Sequence, residues 1–473
     1  MKKTIILCLL MATATCGWAQ VALRGAYFSE NSMMRHELNP AFTPGRGYAS
    51  IFNVNATVNS SIGLDKVLYP SPKGDGTLVT FMHESVNSDF LNSLSTNNAI
   101  GEDLNLLIGG VGFMGFGGFN SIGISLRNNV YGYLPKGLFE FMKLGQQGES
   151  TTYSFDNLGV ETDTYVELAF GHQHNIGEHW SVGGKLKLLV GMAYANMNVQ
   201  NMTMTTKDNM WEVHANGEMQ IAVKGLTIPT NGEAGKQKAD RPRYNEAYAL
   251  DEMKYKSGGV SGFGVALDLG VDYKAEFLEG LDLSLALLDL GFINYTASAY
   301  GTMNNNEPWT FEGFHICSNE NEPGHEGHET FSNQWNSLGN ELADYLNFKK
   351  TEKSSFSHAL AATLNIGASY KMPFYNRLKL GFLSSTRIYG RYSWSEGRFI
   401  ANINPVKGLD ASVNFAVSSW GTSFGWLLNY TTTGFGIFLG MDHTLGSVTK
   451  QFVPLSGRAN LALGISFPFS KKK

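Results

Sequence analysis

Apolar and polar positions alternate along this chain with a period of two residues, segment after segment. Phe52, Val54, Ala56 and Val58 alternate with Asn53, Asn55, Thr57 and Asn59. Ile122, Ile124 and Leu126 alternate with Ser121, Gly123, Ser125 and Arg127. Val182, Leu186, Leu188 and Val190 share a face against Gly183, Lys185, Lys187 and Leu189. The longest run sets Phe263, Val265, Leu267, Leu269, Val271 and Tyr273 against Gly264, Ala266, Asp268, Gly270 and Asp272. Leu360, Leu364, Ile366 and Tyr370 continue the pattern, and the chain closes on Leu461, Leu463, Ile465, Phe467 and Phe469. Successive strand side chains point to opposite faces, so each segment predicts a strand with one apolar face and one small or polar face. Taken singly, such a strand fits a soluble sandwich as well as a membrane barrel.

The connections separate the two. About fourteen strands are predicted, an even number as bacterial barrels require. They start near Tyr48, Leu104, Gly118, Val160, Trp180, Ser257, Leu281, Phe356, Arg377, Gly397, Leu409, Gly421, Gly434 and Gly457. Every second connection is a short turn, at 115–117, 175–179, 276–280, 373–376, 404–408 and 431–433. The intervening ones include the long stretches 60–103, 131–159, 196–256 and 302–355, with shorter ones at 394–396, 418–420 and 442–456. Outer-membrane barrels sort their loops in this way, with short periplasmic turns and long outer loops. The predicted fold is therefore all-β: a transmembrane antiparallel β-barrel of about fourteen strands. It carries an N-terminal plug segment and short helices in its extracellular loops. The stretch 196–256 reads partly as strands, a hairpin extending beyond the membrane.

The N-terminus points the same way. Lys2 and Lys3 precede the apolar run from Thr4 to Ala14, and Gly17-Trp18-Ala19 places small residues at the positions a signal peptidase reads. Residues 1–19 are the expected signal peptide, 20–47 a plug or hatch segment, and 48–473 the barrel. Cys16 raises a lipoprotein alternative, but Thr13-Ala14-Thr15 lacks the leucine-like position such a signal uses. No later segment reaches the ~20 apolar residues of a membrane helix. Removing the signal peptide also removes Cys8 and Cys16, which leaves Cys317 without a disulfide partner. A closed barrel, with every strand edge paired, supplies the missing stability.

Composition agrees. The 473 residues include 54 Gly and 12% aromatics, with only 16% charged residues and a net charge of −5, which gives no footprint for nucleic acid. A mean hydropathy of −0.15 does not exclude a barrel, because alternation hides the apolar face. Trp180, Tyr273, Tyr370, Tyr389, Tyr392 and Trp394 fall near strand ends, where aromatics suit a membrane interface.

Candidate chemistry is sparse. His325-Glu326-Gly327-His328-Glu329, with His315 and Cys317 nearby, offers His325 and His328 as weak metal candidates. Their spacing is not the one-turn separation of a zinc-protease helix, and Gly327 favours a solvated loop. His172 and His174 share a strand face and fit a lumen or interfacial role. No nucleophile elbow, phosphate loop or paired carboxylate emerges, so neither catalysis nor a cofactor is expected. Asp289, within Leu287-Leu288-Asp289-Leu290-Gly291-Phe292, must face the lumen or a partner, since a carboxylate facing lipid is costly. The helical pattern after Pro135 places Leu138, Phe139, Phe141 and Met142 together, with Gly145 as the stop. Phe90, Leu91 and Leu94 share a helical face too, as do Trp335, Leu338, Leu342 and Tyr345. These faces pack on the barrel rim or line a substrate entrance.

The stretch from Leu23 to Gly47 is too irregular for a strand and too apolar for a plain tail. It is either a periplasmic tail or a plug folded into the lumen. Asn39-Pro40-Ala41, just before the first strand, resembles the N-terminal motif of the FadL-type barrel superfamily, which includes fatty-acid transporters and PorV-type barrels of type IX secretion. The phrases Leu287–Phe292 and Leu134-Pro135-Lys136-Gly137-Leu138-Phe139-Glu140-Phe141 bring the mature chain closer to a family of uncharacterised Bacteroidota outer-membrane barrels. The resemblance implies a hatch inside a barrel, with Asn39, Pro40 and Ala41 at its turn. It also implies an outer-membrane location, with membrane lipid and the barrel-insertion machinery as partners. The functional expectation is binding or passage of a hydrophobic small molecule. The alternative is a PorV-like accessory barrel that binds secreted proteins.

Overall fold

The computed structural model describes residues 23–74, 77–148, 150–207, 210–233, 250, 253–296, 299–305, 307–313, 355–444 and 457–469, with shorter pieces between 334 and 351. The expected signal peptide, His315, Cys317, His325 and His328 lie outside the described residues.

Fourteen strands form the wall: β1 Tyr48–Ser60, β2 Asn97–Gly115, β3 Gly118–Pro135, β4 Gly159–Ile176, β5 Trp180–Lys207, β6 Gly262–Lys274 and β7 Leu281–Thr296. They continue as β8 Ala362–Lys371, β9 Leu378–Ile388, β10 Trp394–Val406, β11 Leu409–Ser418, β12 Gly421–Thr431, β13 Gly436–Met441 and β14 Arg458–Pro468. Each pairs antiparallel with its sequence neighbour. β14 pairs back onto β1, from Tyr48 opposite Pro468 to Asn59 opposite Arg458, which closes the barrel. Closure satisfies the edge groups that an open sheet would leave unpaired. No helix among the described residues is long and apolar enough to cross a membrane.

The alternation places apolar side chains outward and polar ones inward, the reverse of a soluble core. Val265, Leu267 and Leu269 are exposed, while Asp268 between them is buried. Ile122 and Ile124 face out, and Ser121, Ser125 and Arg127 are buried. On β14, Leu463 and Phe467 are exposed while Ala462 and Ser466 are buried. The short turns lie at one end, the short-turn end, where both barrel termini also lie. The long connections form the other, long-loop end.

Several expectations shift. β2 starts seven residues before Leu104, because the polar stretch Asn97–Asp103 pairs with β3 beyond the apolar belt. β6 starts at Gly262 rather than near Ser257, since Ser261 still bonds Lys224 N–H and Met192 O through its side chain. β5 runs past the wall and returns as Met210–Val223, which pairs with Ala299–Asn304 and Trp309–Phe311. Helix α1, Lys136–Leu144, begins one residue after Pro135, and its Phe139 packs against Phe81, Phe90 and Leu91 on the rim. Tyr389, Tyr392 and Trp394 do not face lipid. Tyr392 and Trp394 are buried, Tyr389 bonds Glu161, and the Arg24 guanidinium lies 4.7 Å from the Trp394 ring centroid. The Tyr389 hydroxyl meets Glu161 and His358, and the Tyr392 hydroxyl accepts from Arg391, all on the inner side.

Bulges reset the alternation at several places, two of them at residues with positive φ. Phe52 adopts φ 51° where the β1–β14 register slips, and Asp289 adopts φ 58° where β7 slips against β6. β8 is preceded, across a break, by a short strand on the same edge of β7. Ser355–Ala359 pairs with Phe292–Thr296, and Ala362–Lys371 pairs with Leu281–Leu288. Leu360 and Ala361 form the break, and Leu360 turns inward and is buried, off the outward phase its spacing suggests.

Candidate functional site

Residues 23–47 lie inside the lumen, folded into two short 3-10 turns, Arg24–Ala26 and Arg35–Glu37. Leu23, Tyr27, Phe28, Leu38 and Phe42 pack together and against Leu383, Ile400 and Leu427 of the wall. Burial of these apolar side chains drives docking, and polar contacts fix its position.

Wall carboxylates receive the segment's donors. Asp442 accepts the backbone N–H of Arg24 at 2.7 Å and of Gly25 at 2.8 Å. The Arg24 guanidinium meets Glu396 at 3.1 Å, and Glu396 also pairs with Arg398 at 2.8 Å. Asp410 accepts Ser29 Oγ at 2.7 Å and Asn31 Nδ2 at 2.5 Å. Glu30 reaches Lys379 at 2.6 Å, and Glu37 reaches Lys185 at 2.8 Å. Burial alone would raise both glutamates; the Lys379 and Lys185 ammonium groups outweigh it and hold each carboxyl at about 2. Burial pushes the His36 imidazole down to about 4, where it bonds the Tyr48 hydroxyl.

The Asn-Pro-Ala turn is held by its own side chain and by the wall. Asn39 is fully buried; its Oδ1 accepts Ala41 N–H at 2.9 Å and its Nδ2 donates to Val271 O at 3.3 Å and Leu285 O at 3.4 Å. The turn presses so close to β5 and β6 that only glycine fits opposite. A Cβ on Gly183 would stand 2.1 Å from Pro40 O, and one on Gly270 2.0 Å from Asn39 Oδ1. Gly183 and Gly270 occupy inward positions of their strands, so the wall is shaped for this turn.

Asp289 points into the lumen. It meets Lys187 Nζ at 2.5 Å, and its own N–H donates to Asp268 Oδ1 at 2.7 Å. Lys187 also binds Asp268 at 2.8 Å and approaches Glu167 at 3.8 Å; Glu167 pairs with Arg127 at 3.2 Å. Sequence reasoning singled out Asp289 but missed this network. Its signal was present, since Arg127, Lys185, Lys187 and Asp268 all occupy the small or polar phase of their strands. His172 and His174 instead face outward near the short-turn end, with ring centroids 6.1 Å apart.

At the long-loop end, a cavity of about 480 Å³ opens beside the break in β8. Its apolar side is Leu290, Leu360, Ala362 and Ile388; its polar side includes Glu161, His358, Tyr389 and Arg391. His358 lies 3.6 Å from both Glu161 and Asp163, and Arg391 donates to Asn198 at 2.6 Å. Between the Leu288–Thr363 and Phe292–Ala359 pairs the ladder lapses, bridged by the bond from Leu360 N–H to Gly291 O. Leu290 and Ile388 also stand on the outer face, so the cavity reaches the wall where its ladder lapses.

Among solved structures, the chain is similar to the toluene transporter TbuX of Ralstonia pickettii, with 9% identity over 96% of this chain and 95% of that one, at a TM-score of 0.40. It is similar to the toluene transporter TodX of P. putida, with 7% identity over 92% and 93% and a TM-score of 0.41. The translocator domain of the autotransporter NalP from Neisseria meningitidis gives 8% identity over 89% and 88%, with a TM-score of 0.32. No curated protein matches. A family model described as a family of unknown function, DUF5723, matches residues 40–442, and the chain belongs to that family.

Proposed function

We propose that this protein is an outer-membrane barrel, closed by its own N-terminal segment, that binds and passes a hydrophobic small molecule. Its apolar outer belt suits lipid, where a charged wall would cost several kcal/mol. Phe116, Phe277 and Phe374, exposed at the tips of three short turns, suit the membrane interface. The Leu23–Gly47 segment acts as a hatch, and the Asn39–Ala41 turn is its hinge against β5 and β6.

The observation that carries the reading is the cavity beside the interrupted strand. It joins an apolar patch to a polar rim at the one place where β7 and β8 lose their ladder. A ligand entering among the long loops settles there and leaves when the interrupted strand or the hatch shifts. Passage needs no bond making, only alternative packing.

Uptake of a hydrophobic fluorescent probe into lipid vesicles carrying the purified barrel tests the proposal. Faster entry than into empty vesicles supports it. Entry no faster than into empty vesicles, together with loop-dependent capture of a secreted protein, would replace it with the accessory-barrel reading.

A further inference from the structure

The short-turn end holds a second cavity, of about 310 Å³, at the lower edge of the range small-molecule sites occupy. The hatch builds part of it, through Arg35 and Phe42, and the barrel the rest, through Trp180, Asp272, Asp282 and Lys379.

Most charges here are already matched. Lys379 sits between Glu30 at 2.6 Å and Asp282 at 2.9 Å, so that trio is internally neutralised to one negative charge shared over two carboxylates. Two further charged side chains on the cavity wall, Arg35 and Asp272, feel each other's charge but share no ion pair or hydrogen bond at contact distance. Arg35 stacks on the Phe42 ring at 4.2 Å, and its buried Nε has no hydrogen-bond partner among the described residues. Its guanidinium makes no ion pair with a described carboxylate. Asp272, on the barrel wall of the same cavity, likewise accepts no hydrogen bond from a described residue. Both are only partly exposed, while Lys274 and Glu178 at the rim are open to water. A guanidinium held flat on a ring favours a carboxylate ligand. A carboxylate in the same cavity that accepts no hydrogen bond favours an ammonium.

We infer that this cavity binds a small zwitterion, its carboxylate on Arg35 and its ammonium on Asp272. Because the two recognition groups belong to different parts, hatch and wall, the bound molecule ties the hatch to the barrel. This site stands apart from the cavity at the long-loop end and does not depend on what passes there.

The test is calorimetric titration of the full-length barrel in detergent with alanyl-alanine, its N-acetyl form and its C-terminal amide. The free dipeptide is expected to bind at least ten-fold tighter than either blocked form. Arg35→Met should erase the difference between acid and amide while keeping that between amine and N-acetyl. Asp272→Asn should do the reverse. Heat-shifted gel migration checks that each variant remains a barrel; should Arg35→Met disturb folding, Arg35→Lys restores the charge and should recover acid-over-amide preference. No saturable binding of any of the three, or discrimination unchanged in both variants, overturns the inference.

Discussion

Lys185 reaches from β5 into the lumen and meets Glu37 of the N-terminal segment at 2.8 Å. The lysine is almost wholly buried, so removing its partner strands a cation in a space with little water. Glu37→Gln should weaken hatch docking by on the order of 3 kcal/mol, and Lys185→Met with Glu37→Gln together by less, because no unpaired charge remains. Protease protection of residues 23–47 in the folded barrel reads the difference.

Acid should release the hatch in two stages. His36 is held neutral at about 4 against about 6.5 when free, so docking is fully favoured above pH 6.5 and loses stability as pH falls toward 4. Glu30 and Glu37, depressed to about 2 by Lys379 and Lys185, contribute above about pH 4.5 and lose that contribution as pH falls toward 2. Labelling of a cysteine introduced at Ser32 should therefore rise as pH drops from 7 to 4, and His36→Gln should remove the first stage.

Asp289 combines charge and backbone roles. Asp289→Asn preserves a residue that tolerates φ 58° but loses the charge facing Lys187. Asp289→Ala loses both, and should be less stable than Asp289→Gly by about 1 kcal/mol, the cost of a Cβ in the left-handed region. Urea unfolding of the barrel in lipid vesicles orders the three.

Outward and inward positions should respond oppositely to charge. Leu267→Arg places a cation on the lipid face and should cost roughly 2–4 kcal/mol near mid-membrane. Asn105→Lys, at an inward position of β2 that lines a lumen cavity with Asn53 and Asn55, should cost less, since its head can find polar partners. The same urea titration compares them.

Much of the wall was legible because lipid and lumen impose opposite demands on successive residues. Leu461 to Phe469 and Phe263 to Tyr273 show this without interruption, and the structure keeps both faces as read. The bulges were not legible. Nothing local marks Phe52 or Asp289 as residues with positive φ, and the inward turn of Leu360 follows from a break its sequence spacing hides. The Lys187–Asp289 pair joins residues 102 positions apart, so only strand register could bring them together. Asn39 was singled out by resemblance; its fit against Gly183 and Gly270 needed the lumen to be seen.

The proposed function seats a hydrophobic molecule in the cavity at the β8 break. Native mass spectrometry of the barrel, purified in mild detergent, tests it most directly when Ala362→Trp fills that cavity. The native chain should carry a bound hydrophobic molecule and Ala362→Trp should lose it, with both remaining folded barrels. A native chain carrying none, or equal occupancy in the two, would contradict it.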